Sequence, residues 1–196
     1  MKSIAVFCGS SVGGDEIYTL RARSLGKLLA QKNIQLVYGG GNIGLMRKIA
    51  DAVLEEGGKV TGVMPGLIAD REIVHQGLSE LHIVDTMHER KALMAELSDA
   101  FIAMPGGFGT IDEMFEIMTW NQLEIISKPA ALFNIKGYFD PLLNFIDHTI
   151  NEKFVRQEHR NNLIVEDDEK RLLDKLLVHR PAKAHKWIDM LKKDLI

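Results

Sequence analysis

Seven short apolar runs punctuate the chain: Ile4–Cys8, Gln35–Tyr38, Lys59–Met64, Leu81–Val84, Ala100–Met104, Pro129–Asn134 and Asn162–Val165. They have the length of strands, most end in Gly, Pro, Asp or Asn, and they are too rich in Val, Ile, Leu and Ala to alternate with polar residues. Between them, apolar residues repeat at three- and four-residue spacing over Ile17–Gln31, Leu45–Glu56, Glu89–Leu97, Ile111–Leu123 and Pro141–Lys153, which predicts amphipathic helices. Apolar strands separated by such helices predict a parallel sheet covered on both faces, an α/β doubly wound fold. The stretch Pro65–Leu81 is less regular, and such excursions often border a site. After Val165 an acidic run, Glu166–Glu169, opens a helix through Val178, so 166–196 reads as a C-terminal helical tail of a single domain spanning 1–196. Its Trp187, Met190 and Leu191 are spaced to dock on that domain or on a second subunit.

Composition narrows the partners. At 196 residues, 46% hydrophobic and 26% charged, the chain has the size and apolar content of one globular domain. A net charge of −3 supplies no basic field for nucleic acid. The lone cysteine, Cys8, predicts a small buried hydrophobe and a reducing compartment. The N-terminal apolar stretch spans only Ile4 to Cys8, too short for a signal peptide, and no membrane-length run occurs, so a cytoplasmic location is expected.

Candidate chemistry lies in three glycine loops that follow strands: Gly9-Ser10-Ser11, Gly39-Gly40-Gly41-Asn42-Ile43-Gly44 and Pro105-Gly106-Gly107-Phe108-Gly109-Thr110. In an open parallel sheet such loops gather on one edge, where backbone N–H groups and helix N-termini can hold a phosphorylated ligand. Gly39, Gly41 and Gly44 match G-x-G-x-x-G, which makes either a phosphate or ribose loop or just a tight turn. The acid that a nicotinamide site needs at the end of the next strand, Lys59–Met64, is missing. In the third loop, Thr110 and Glu113 have the spacing of a capping box, which would account for both without chemistry but not for the preceding Pro-Gly-Gly-x-Gly. In Met87-His88-Glu89-Arg90-Lys91, the cations Arg90 and Lys91 oppose the dipole at a helix start unless an anion, such as a phosphate or Glu113, lies near. The alternative is a solvated first turn in which His88 and Glu89 pair. The seven histidines form no metal-ligand spacing.

Together, Cys8-Gly9-Ser10-Ser11, Tyr38-Gly39-Gly40-Gly41-Asn42-Ile43-Gly44-Leu45-Met46, Gly62-Val63-Met64-Pro65, Met87-His88-Glu89-Arg90-Lys91, Pro105 through Glu113, Thr119-Trp120-Asn121-Gln122-Leu123, Lys128-Pro129 and Gly137-Tyr138-Phe139 resemble, in order, the LOG family of cytokinin riboside 5′-monophosphate phosphoribohydrolases. The likeness covers roughly residues 1–165, and M-x-x-R-K with P-G-G-x-G-T-x-x-E are its specific motifs. It implies a Rossmann-like homodimer that hydrolyses the N-glycosidic bond of a purine or cytokinin nucleoside 5′-monophosphate, AMP included. Arg90 and Glu113 correspond to the catalytic pair. Glu72, Arg90, Lys91, Gly107, Phe108, Gly109, Thr110, Ile111, Asp112, Glu113 and Thr119 correspond to substrate contacts. Arg47 stands where the family commonly has Gly, which bears on packing or specificity at the second loop.

Such a bond breaks through an oxocarbenium-like transition state. Glu113 would stabilise that charge and orient water, Arg90 would fix Glu113 or the phosphate, and Gly107, Gly109 and Thr110 would anchor the phosphate. The scheme requires no metal or cofactor, and no Schiff-base lysine of a decarboxylase is evident; the resemblance gives Lys91 a substrate contact instead. Met87, Met94, Met114, Met118 and Trp120 are either plain core or the pocket for a cytokinin's N6 group. The competing reading is a non-catalytic nucleotide or molybdenum-cofactor binding or carrier protein.

Overall fold

The computed structural model describes residues 1–69 and 74–181. Its strands are β1 (Ser3–Phe7), β2 (Gln35–Tyr38), β3 (Val60–Pro65), β4 (Glu80–Val84), β5 (Ala100–Ala103), β6 (Ala130–Phe133) and β7 (Leu163–Glu166). Its helices are α1 (Glu16–Gln31), α2 (Gly44–Glu55), α3 (Gly66–Ala69), α4 (Met87–Leu97), α5 (Phe108–Gln122), α6 (Asp140–Asn151), α7 (Gln157–Asn161) and α8 (Glu169–Val178). Every expected strand is present with its ends displaced by one residue at most, because strands buried on both faces leave uninterrupted apolar runs; only the edge strand β4 is largely exposed. The short α3 and α7 carry too few turns to leave a periodic signal.

The seven strands pair in parallel in the order β4-β3-β2-β1-β5-β6-β7. This is the Rossmann-like, doubly wound architecture. The chain builds outward from β1 to β4 and then returns to β5 on the other side of β1. The switch point therefore falls between β1 and β5, the place where the loops at the carboxyl ends of strands diverge and leave a crevice. One apolar core fills the space between the sheet and α1, α2 and α8, and a second lies under α4, α5 and α6. In α8, Leu172, Leu173 and Leu176 are fully buried in the first of these. The expected docking of Trp187, Met190 and Leu191 lies outside the described residues. Among the described residues no helix is long and apolar enough to cross a membrane.

Candidate active site at the switch point

Helix α4 sets up the site. Thr86 caps it: its hydroxyl accepts from the Glu89 N–H at 3.1 Å, and the Glu89 carboxylate accepts from the Asp85 N–H at 2.9 Å. This capping-box arrangement places Arg90 one turn into α4 and takes up Glu89, so the expected pairing of His88 with Glu89 does not define this turn. From there the Arg90 side chain runs across the ends of β3 and β2. Its Nε donates to the Val63 carbonyl at 3.0 Å, and its Nη1 donates to Glu113 Oε1 at 2.6 Å. A Cβ on Gly39 would stand 2.4 Å from its Nη2, so only glycine at the end of β2 leaves room for the guanidinium.

The third glycine loop differs from the capping box that Thr110 and Glu113 suggest. Helix α5 begins at Phe108, three residues earlier than expected, and Gly107 occupies the N-cap position without a side-chain cap. Thr110 already lies in the first turn, buried against Gly106. The Glu113 carboxylate is engaged by Arg90 instead of the backbone, because a charged partner across the site outcompetes a neutral N–H. The first turn of α5 thus has no side-chain cap, and its N–H groups carry the partial positive charge that binds anions. A Cβ on Gly107 or Gly109 would meet nothing within 4 Å. Phe108 between them is 98% exposed.

Arg90 and Glu113 are both nearly buried, with side chains 12% and 9% exposed. Burial pushes the Glu113 carboxyl above its ordinary range, and the charge and hydrogen bond of Arg90 offset this in part. An ion pair held in such surroundings is weak as a stabilising device. Cys8, just past the end of β1, is buried; burial, followed by the field of Glu113, holds its thiol far above the usual range.

Lys91 bridges Asp112 and Glu116, each at 3.1 Å, with its side chain 11% exposed. Burial alone would lower its pKa, yet the two carboxylates outweigh that and raise it. It ties α4 to α5, a task that answers the unfavourable placement of cations at a helix start: carboxylates serve both Arg90 and Lys91. Of the other expected contacts, Ile111 packs partly buried on the core beneath α5 and Asp112 is exposed beside Lys91. Thr119 is not brought to the pair. It lies six residues further along α5, about 9 Å by helical rise, and its hydroxyl donates to the Phe115 carbonyl at 2.8 Å. It lines a separate cavity of about 180 Å³ with Phe115, Met118, Phe145 and His159. Glu72 lies outside the described residues. Met94 and Met114 are buried core, whereas Met87 is 41% exposed at the start of α4.

A second cavity, of about 320 Å³, opens at the switch point between Gly9–Gly13 and Pro105–Gly107, walled by Tyr18, Leu45 and Tyr138. Its two loops are joined by the Gly9 N–H donating to the Pro105 carbonyl at 3.0 Å. The aromatic walls were not evident from spacing; only the Gly137-Tyr138-Phe139 motif pointed there, without a role.

The second glycine loop is occupied by the protein itself. Gly44 has φ +54°, and a Cβ there would stand 2.2 Å from the Ser10 carbonyl carbon. The Leu45 N–H donates to the Gly9 carbonyl at 3.0 Å, so part of the α2 N-terminus is already satisfied. The segment Val74-His75 covers this loop, with Gly41 bridged to Val74 and the His75 N–H donating to the Gly40 carbonyl. Arg47 projects from α2 to solvent and pairs with Asp51 at 3.3 Å, so its place opposite the family's usual Gly disturbs no packing. Among the described residues no group of three His, Cys, Asp and Glu side chains gathers as a metal site would require.

Comparison with known proteins adds names. Residues 46–176 match a family model described as possible lysine decarboxylase. The chain is 47% identical over 165 residues to a cytokinin riboside 5′-monophosphate phosphoribohydrolase of Rhodococcoides fascians, covering 84% of this chain and 83% of that protein. It is 47% identical over 175 residues to one of Arabidopsis thaliana, covering 89% and 82%. It is 46% identical over 180 residues to a probable one of Oryza sativa subsp. japonica, covering 92% and 74%. Among solved structures, the molybdenum cofactor carrier protein of Chlamydomonas reinhardtii superposes with a TM-score of 0.68 at 20% identity, over 90% of this chain and 98% of that one. At that identity the likeness is one of fold.

Proposed function

Because the chain belongs to the family of cytokinin riboside 5′-monophosphate phosphoribohydrolases, we propose that it hydrolyses the N-glycosidic bond of a cytokinin riboside 5′-monophosphate or of AMP, releasing free base and ribose 5-phosphate. The observation that carries the mechanism is the buried Arg90–Glu113 pair beside an α5 N-terminus that no side chain caps. The phosphate binds at the N–H groups of the first turn of α5, where Gly107 and Gly109 leave open space. That contact, remote from the bond that breaks, positions the ribose.

As the C1′–N bond lengthens, positive charge develops on C1′ and the ring oxygen, and the Glu113 carboxylate faces it in surroundings that screen little. Arg90, tied to Val63, favours the ionised form of Glu113 and aims its carboxylate. The water oxygen bonds to C1′ as the C1′–N bond breaks, Glu113 receives the water's proton and releases it to solvent, and the departing base nitrogen takes one proton from solvent, so one water is consumed and Glu113 ends ionised as it began. Lys91 serves by holding Asp112 and Glu116, and with them α5, in place. A lysine held protonated by two carboxylates is the opposite of the desolvated amine a Schiff-base decarboxylase uses. The decarboxylase description of the family model therefore finds no support at Lys91.

We further assign the exposed apolar residues near α5 and α6, among them Phe108, Leu123 and Phe145, to a homodimer contact. Such a contact would also give Thr119 a partner surface. A monomeric mass in sedimentation would refute it. The buried free thiol of Cys8 suits a cytoplasmic location.

The test is chromatography of AMP and isopentenyladenosine monophosphate incubated with the protein and with Glu113→Gln. The expected result is free base and ribose 5-phosphate from the parent, with turnover in the variant lower by about 10²–10³-fold. Undiminished turnover in Glu113→Gln would remove Glu113 from the mechanism. Intact nucleotide after incubation with the parent would favour a carrier.

A further inference from the structure

The turn that follows β6 is built with unusual care for a surface connection. The Asn134 side chain accepts from the Phe139 N–H at 2.7 Å and donates to Asp140 at 2.7 Å, while the Tyr138 N–H closes on the Ile135 carbonyl at 3.1 Å. Phe139 is buried, and Lys136 pins the turn to Asp15, the cap of α1, at 2.6 Å. Tyr138 is therefore presented in a fixed pose. Its ring meets Phe139 edge-on at 5.0 Å and Tyr18 at 5.8 Å, and its hydroxyl donates to the Gly106 carbonyl at 2.7 Å.

We propose that Tyr138 is a positioning residue for the substrate's phosphate: its hydroxyl clamps the Gly106 carbonyl and so orients the peptide that leads into α5. The peptide between Gly106 and Gly107 joins two residues without a Cβ, so local sterics restrain its plane weakly. In a trans peptide the C=O and N–H point in opposite directions. Holding the Gly106 oxygen toward Tyr138 turns the Gly107 N–H away from it and keeps a carbonyl dipole from facing the bound anion. Tyr138 does this from the wall of the switch-point cavity that Gly106 and Gly107 also line. The inference rests on the reading that the first turn of α5 receives the phosphate.

The experiment compares the parent with Tyr138→Phe, which retains the ring contacts and loses only the hydroxyl. Base release from AMP or isopentenyladenosine monophosphate should show KM raised by about three- to tenfold, the worth of one neutral hydrogen bond, with a smaller change in kcat and a melting temperature lowered by no more than the loss of that one bond. Calorimetric titration with ribose 5-phosphate should show the same fold loss in Kd. That second readout separates the two claims: if the parent releases no base yet binds ribose 5-phosphate, the hydrolase reading fails while Tyr138 is still tested. Unchanged KM and Kd in the variant overturn the proposal. So does a lower kcat and melting temperature at unchanged KM, which would make Tyr138 a strut. Failure of the parent to bind ribose 5-phosphate overturns it along with the phosphate reading.

Discussion

Two glycine loops leave β2 and β5, the strands that flank β1, on the same edge of the sheet, and they spend their glycines differently. In the loop after β2, Gly39 admits the Arg90 guanidinium and Gly44 admits the backbone of Ser10; a methyl at either would collide. In the loop after β5, Gly107 and Gly109 touch nothing, and Gly107 has an ordinary extended φ of −93°. Neither packing nor backbone conformation calls for glycine at those two positions. A glycine required by a neighbour is structure; under the reading proposed above, the open space beside Gly107 and Gly109 is where the phosphate sits.

Substitution by alanine breaks this comparison apart. Gly44→Ala should show the largest effect on folding, a loss of roughly 2–4 kcal/mol from a positive φ and a backbone clash. Urea unfolding would measure it, and the protein that remains folded should turn over normally. A variant of undiminished stability would mean that the Ser10 loop yields easily, and the second loop would lose its structural assignment. Gly109→Ala should behave in the opposite way. Its stability should match or exceed the parent, since alanine suits a helix better than glycine, while KM for the nucleotide rises about tenfold, near 1.4 kcal/mol. An unchanged KM would show that the open side of Gly109 is not where the phosphate sits.

This difference between the loops was only partly legible in the sequence. The architecture could be read because parallel strands carry continuous apolar runs and end in turn-forming residues. The pairing of Arg90 with Glu113 was foreseeable, because cations at a helix start need an anion, although spacing did not show that Val63 and Gly39 complete the seat of the guanidinium. The spacing Thr-x-x-Glu occurs at both Thr86–Glu89 and Thr110–Glu113, and only the first is a cap. Sequence spacing does not reveal which glutamate has an arginine across the site to engage it. Thr119 illustrates the same limit. It shares a helix with Glu113, yet a step of six residues carries it to another cavity. The purpose of Gly44 depends wholly on a loop more than thirty residues earlier, and no local pattern encodes it.

The smallest effect expected concerns the cost of keeping Glu113 where it is. Burial raises its carboxyl above the ordinary value of 4.5 and Arg90 offsets this only in part. Below 4.5 the group is protonated in both folded and unfolded chains and costs nothing. As pH rises, the unfolded chain releases the proton first, so stability declines between 4.5 and the folded-state pKa and stays lower above it. Gln carries no such proton. The stability of Glu113→Gln relative to the parent, from urea unfolding across this range, should therefore increase from acid to neutral pH and then level off. A parent that instead gains on the variant as pH rises would mean that pairing with Arg90 outweighs burial, making the ion pair a stabilising element. The expected direction would show that the charge on Glu113 costs the fold stability, in contrast with Gly44, whose missing Cβ lets two loops meet.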